Sequence, residues 1–249
     1  MESYDYKTIK PVACLNGFLL KMIAVSTMLI DHIGAVLFPY QMGFRYIGRI
    51  AFPIYVFLIV EGFYHTHDIR KYELRLLLFA AISEIPFDLA FNGSILEFTS
   101  QNVFFTLFLG LMMLDFIRRA EQSIQGTGMR IVLEIVILFA FIMIANFLQT
   151  DYSGGGVLLI FWFYCFRNRP VFKYAGLALI AWVFFGLIEC WCLIAVIPML
   201  LYNGERGFHR TGGLYSGRSR GAAAILVKYL FYLFYPVHLL ILHGIDVLQ

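Results

Sequence analysis

Apolar runs long enough to cross a bilayer recur along almost the whole chain, and basic residues gather at every second junction between them. A span needs about 20 helical residues. The runs at 16–38, 48–65, 72–91, 101–117, 130–148, 155–166, 171–185, 187–202 and 224–243 predict nine spans. The stretch 155–166 is short and is read as tilted, covered by neighbours or partly re-entrant. If 170–202 is one broken helix, the count falls to eight and the C-terminus changes sides. Composition agrees: 61% of the 249 residues are hydrophobic and only 14% charged, against about half and about a quarter in soluble domains. That excludes a soluble domain, a disordered chain, a coiled coil, a disulfide scaffold and a nucleic-acid binder. The predicted fold class is an all-α integral membrane protein, a polytopic helical bundle of one domain over 1–249.

Placing the N-terminus in the cytoplasm puts Lys7, Lys10, Lys21, Arg70, Lys71, Arg75, Arg118, Arg119 and Arg130 on the inner side. Arg167, Arg169, Lys173, Arg206, Arg210, Arg218, Arg220 and Lys228 join them there, and the C-terminus ends outside. The loops near 92–100, 149–154, 186 and 244–249 carry no basic residue, as the positive-inside rule requires. Arg45 and Arg49 are the exceptions. The first apolar run contains Lys21, Asp31 and His32 and no small-residue cleavage pattern, so it reads as a retained span. The Gly/Arg-rich stretch 203–222 reads as a flexible cytoplasmic loop. Cys14, Cys165, Cys190 and Cys192 fit no zinc or redox spacing and read as buried free thiols.

Ionisable groups at membrane depth cost at least about 2–3 kcal/mol each on insertion scales. The predicted topology places Asp31, His32, Glu84, Asp88, Gln101, Asn102 and His238 in the outer half, bordered by Arg45, Arg49, Asp151 and Tyr152. Glu61, His65 and His67 lie near the inner face. Arg45 and Arg49 share a helical face, as do Glu84 and Asp88 around Pro86, and Tyr235 and His238 beside Pro236. Asp31 and His32 diverge by about 100° and cannot face one point squarely. Arg45 and Arg49 with Glu84 and Asp88 also read as structural ion pairs. The inner cations also read as topology signals, and the His65–His67 pair lacks the further ligands a metal site needs.

Six stretches in order carry a family resemblance: KMIAVSTMLIDHIG (21–34), RYIGRIAFPIYVFLIVEGFYHT (45–66), RLLLFAAISEIPFD (75–88), QNVFFT (101–106), DYSGGGV (151–157) and KYLFYLFYPVHLLIL (228–242). Together they resemble the TraX family, membrane proteins named for the pilin acetylase of conjugative systems. The resemblance implies a bacterial membrane acetyltransferase with acetyl-CoA as donor and no metal. It also implies kinship with multi-span acyltransferases that use a membrane-embedded His. That role falls to His32, with Asp31 as its neighbour, and Arg49, Glu84, Asn102 and His238 sit inside matching motifs. The loop 203–222 is longer and richer in Gly and Arg than the family leads one to expect.

Residues and resemblance together predict a division of labour. His32 acts as general base, or less directly as an acetyl carrier, and Arg49 or Asn102 donates to the oxyanion. Arg45, Glu84, Asp88, Gln101, Asp151, Tyr152, Tyr235 and His238 are the candidate acceptor site, with Glu84 and Asp88 orienting the two arginines or binding an amine. His65, Arg70, Lys71, Arg75, Arg118 and Arg119 are the candidates for holding acetyl-CoA. The acceptor, an amine or hydroxyl of an exported peptide, glycan or small molecule, enters from outside. Two rival classes are a proton-coupled transporter, against which stands the absence of an internal repeat, and a scaffold subunit of an export complex.

Overall fold

The computed structural model describes residues 13–205, 207 and 217–248, with side chains throughout except at 217–224. Lys7, Lys10, Arg206 and Arg210, the side chains of Arg218 and Arg220, and half of the stretch 203–222 lie outside these. The described residues form helices and no strand. The helices are α1 (Gly17–Leu37), α2 (Met42–Gly48), α3 (Ala51–His65), α4 (Ile69–Asn92), α5 (Val103–Ser123), α6 (Thr127–Phe147), α7 (Ser153–Cys165) and α8 (Pro170–Ile180). A π-turn (Ala181–Phe185) and a 3-10 segment (Leu187–Ala195) lead into α9 (Val196–Leu200), and α10 covers Gly217–Val247. Among the described residues, four stretches are long and apolar enough to cross a membrane: Gly17–Leu37, Met42–His65, Thr127–Phe147 and Ile225–Val247.

Polar side chains set several helix starts by accepting an otherwise unpaired first-turn N–H. Asn16 accepts from Leu19 N at 3.0 Å, Asp68 from Lys71 N at 3.0 Å and Asn102 from Phe104 N at 3.1 Å. Asn146, near the end of α6, accepts from Gly154 N at 2.8 Å and so caps α7. Gly93, at φ 64°, ends α4 in the left-handed region that glycine tolerates. The predicted runs at 171–185 and 187–202 differ most from observation. They form α8, the π-turn, the 3-10 segment and α9, broken at Gly186 (φ 88°), where no regular helix continues. α10 begins at Gly217, inside the stretch expected to be loop.

The core centres on α3, with Phe52, Ile54, Val56, Phe57, Ile59, Val60 and Phe63 buried. It packs against α1, α5 and α7, while α4 pairs with α5 and α10. α6 is the opposite case: it buries Phe141 and Ala145, while Ile131, Val132, Ile135, Val136 and Phe139 are exposed. A helix apolar around its whole circumference fits a lipid-facing position. All four cysteines are free, but only Cys192 is buried; Cys14 and Cys165 are exposed, correcting the expectation of burial for all four.

Candidate functional site

Two arrangements organise the polar residues, one at each end of the bundle. At the end holding the C-terminus of α1, adjacent Asp31 and His32 turn to different neighbours, as the helical angle requires. Asp31 is buried and accepts from Arg45 at 2.8 Å and from Arg49 Nη2 at 2.8 and 3.0 Å. Arg49 also pairs through Nη1 with Glu189 of the 3-10 segment and donates through Nε to Arg45 O at 3.2 Å. A Cβ at Gly48 would collide with the Asp31 carboxyl, so only glycine lets α2 approach this closely. Two carboxylates thus balance two guanidiniums.

This corrects the roles expected for the carboxylates. Glu84 and Asp88 do not orient Arg45 and Arg49; Asp31 and Glu189 do. Glu84 accepts from the backbone and side-chain N–H groups of Asn102, tying α4 to the start of α5. Asp88 is fully buried and accepts from Asn92 at 3.1 Å and Glu97 N at 2.8 Å, closing the α4–α5 loop. Asn102 spends both amide protons, on Glu84 and on Ala80 O at 2.8 Å, so it has none left for an oxyanion. Gln101 and Asp151 serve through their backbones: Gln101 donates to Gln149 O and accepts from Asp151 N at 2.8 Å. Tyr152, held at φ 61°, stacks on Phe52 with centroids 3.6 Å apart.

His32 pairs instead with His238 of α10, Nδ1 to Nε2 at 2.7 Å. His238 Nδ1 lies 2.6 Å from Phe234 O, and a carbonyl only accepts, so this nitrogen carries the proton. In the neutral pair His238 Nε2 then accepts from His32 Nδ1. The tautomer follows from this network: His32 Nε2 holds the lone pair. The rings lie within 8° of parallel with centroids 4.9 Å apart. Phe91 and Tyr235 pack edge-on against His32 at 5.3 and 5.7 Å.

The second arrangement is a cavity of about 480 Å³ between α1, α3, α4, α5 and α10, within the range of small-molecule sites. Lys21, His65, His67, Lys71, Arg75 and Lys228 line its polar end together with Glu61 and Asp68, and Tyr55, Val103, Phe104 and Tyr235 are among its inner walls. Arg75 lies 5.4 Å over the Tyr72 ring and lines the cavity beside Tyr232, while its buried Nε has no hydrogen-bond partner among the described residues. Asp68 at the rim is held below the usual carboxylate range by hydrogen bonds from the Lys71 backbone and side chain. Among the expected donor-binding residues, His65, Lys71 and Arg75 line this space; Arg70, Arg118 and Arg119 do not. Arg119 Nε instead donates to Asp115 at 2.8 Å, and Arg118 lies 4.0 Å over Phe63.

Sequence reasoning missed Glu189, although a lone acid in the apolar run 171–202 was a signal. It also left Lys21 and Lys228 as topology markers, and nothing in the sequence marked Tyr55, Tyr72 or Tyr232 as sharing one cavity.

The chain is similar to known proteins along nearly its whole length. The family described as "TraX protein" matches residues 16–246. A "Probable fimbrial assembly protein FimC, serogroup H1" of Dichelobacter nodosus is 30% identical over 258 residues, covering 91% of this chain and 94% of that protein. A protein of Rickettsia prowazekii (strain Madrid E), described as uncharacterized, is 31% identical over 121 residues, covering 49% of this chain and 45% of its own length. No solved structure matches. The extent of the first match, together with an all-helical, membrane-suited bundle, leads to one conclusion: the chain belongs to the TraX family.

Proposed function

We propose that this protein is a membrane acetyltransferase, moving acetyl from acetyl-CoA to an amine or hydroxyl of an exported acceptor. One observation carries the reading. The cavity runs from a cationic end to Tyr235, whose ring packs 5.7 Å from both His32 and His238. A cofactor with a charged nucleotide and a thin apolar arm fits a cavity with one cationic end and one apolar end. Arg75 supports the fit, since its buried Nε, beside Lys71, is an orphan donor among the described residues. Such a donor is costly unless a ligand such as phosphate accepts from it.

Nine spans, with the cationic end in the cytoplasm and the C-terminus outside, complete this reading, and the basic residues support it. Acetyl-CoA would enter from inside and the acceptor from outside, meeting at His32. Its Nε2 would take the acceptor's proton, while His238 and Phe234 O hold the tautomer. Arg45, Arg49, Asp31 and Glu189 would keep the outer ends of α1 and α3 in place. The fimbrial name of the Dichelobacter relative favours an exported peptide as acceptor.

The test is release of CoA from acetyl-CoA by purified protein reconstituted in vesicles. His32→Ala should lower it by about 10²–10⁴-fold, the range for loss of a general base, with an unchanged melting temperature. Turnover like wild type would remove His32 from the chemistry. Proton flux without any CoA release would favour the transporter reading, for which the His32–His238 hydrogen bond would be a relay.

A further inference from the structure

We propose that the Tyr235 hydroxyl donates the hydrogen bond that stabilises the oxyanion formed on the acetyl carbonyl; this rests on the acetyl-transfer reading above. The residues expected to do this are committed elsewhere: Asn102 has spent both amide protons, and Arg49 is held by Asp31, Glu189 and Arg45 O. Tyr235 is 3% exposed, lines the cavity and has its ring against both imidazoles. Its ring also packs edge-on against Phe104, in the first turn of α5, with centroids 5.1 Å apart. A phenol has one proton to donate and two lone pairs. From this place on the cavity wall the hydroxyl can donate a hydrogen bond to a substrate oxygen at the positive end of a helix.

The step balances without an external reagent. The acceptor's nitrogen or oxygen bonds to the acetyl carbon as His32 Nε2 takes its proton. The carbonyl π pair moves onto oxygen, which Tyr235 stabilises without giving up its proton. Collapse restores the carbonyl and breaks the C–S bond. The leaving CoA thiolate takes the proton from His32.

Tyr235→Phe keeps the ring and removes only the hydroxyl. CoA release should fall about 10²–10³-fold in kcat, the cost of losing one oxyanion donor, with the KM for acetyl-CoA unchanged. Replacement of Tyr235 by 3-fluorotyrosine covers the case in which that variant does not fold. It keeps the phenol, makes its proton a stronger donor and should change kcat at constant KM; an unchanged kcat would overturn the assignment. Binding gives a readout independent of turnover. A trifluoromethyl-ketone analogue of acetyl-CoA, whose hydrate carries the tetrahedral oxygens, should bind wild type more tightly than CoA does. Tyr235→Phe should erase that margin and leave CoA binding intact. An unchanged margin, or kcat within threefold of wild type, overturns the assignment of Tyr235. Wild type that binds neither CoA nor the analogue overturns the donor reading itself, and the Tyr235 proposal with it.

Discussion

Arg49 and Arg75 set the two ends of the bundle against each other. Arg49 is buried and meets two carboxylates and a backbone carbonyl. Arg75 is half-buried, leans on Tyr72 and keeps an Nε that nothing among the described residues accepts from. The same side chain is thus saturated at one end and left wanting at the other. Charge at the Arg49 end is neutralised within the protein and fixes α1, α2, α3 and the 3-10 segment together. Charge at the Arg75 end stays available to an anion. The histidine pair lies beside the first, and Tyr235, which lines the cavity of the second, packs against both imidazoles.

The largest effect should come from breaking the saturated end. Arg49→Ala leaves Asp31 and Glu189 buried without their shared partner, and breaking a buried pair costs about 3–5 kcal/mol. A loss of folded protein on size-exclusion chromatography is the expected outcome. A variant that stays folded and active would place Arg49 outside the framework. Next in size is Gly48→Ala, whose added Cβ meets the Asp31 carboxyl. Overpacking of this kind costs about 1–3 kcal/mol, read as a lower melting temperature. Arg75→Ala should act on binding instead, raising the KM for acetyl-CoA by about tenfold, or 1.4 kcal/mol, with kcat and melting temperature little changed. A variant that lost stability like Arg49→Ala would erase the contrast between the two arginines.

The smallest effect concerns the cavity rim. Asp68 caps α4, and Lys71 holds its carboxyl below the usual range. Its stabilising share is therefore present above the unfolded-state value near 4 and is lost as pH falls through the lower, folded-state value. Asp68→Asn should cost a slight fall in melting temperature at pH 7, and the difference should shrink as pH falls below 4. A difference that grows on acidification would contradict this linkage.

The helical, membrane-suited class was legible because apolar period and basic spacing are local properties of the chain. The polar residues that gather at the α1–α3 end were legible by type for the same reason. Their partners were not. Asp31 and His32 are neighbours in sequence, and only the packing of α2 and α10 on either side of α1 decides that one meets arginines and the other a histidine. Asn102 looked like a donor from its type, and its cap on α5 and bond to Glu84 appear only once α4 and α5 are placed together. Glu189 escaped notice because a single acid in an apolar run carries no pattern, and the break at Gly186 that presents it to Arg49 has no regular period.

A cryo-EM map of the full chain in lipid nanodiscs with CoA bound tests the account most directly. The pyrophosphate should lie beside Lys71 and Arg75, and the thiol at Tyr235, next to the His32–His238 pair. Saturating CoA that left the cavity empty, or a thiol lying away from Tyr235 with packed side chains between it and His32, would contradict it.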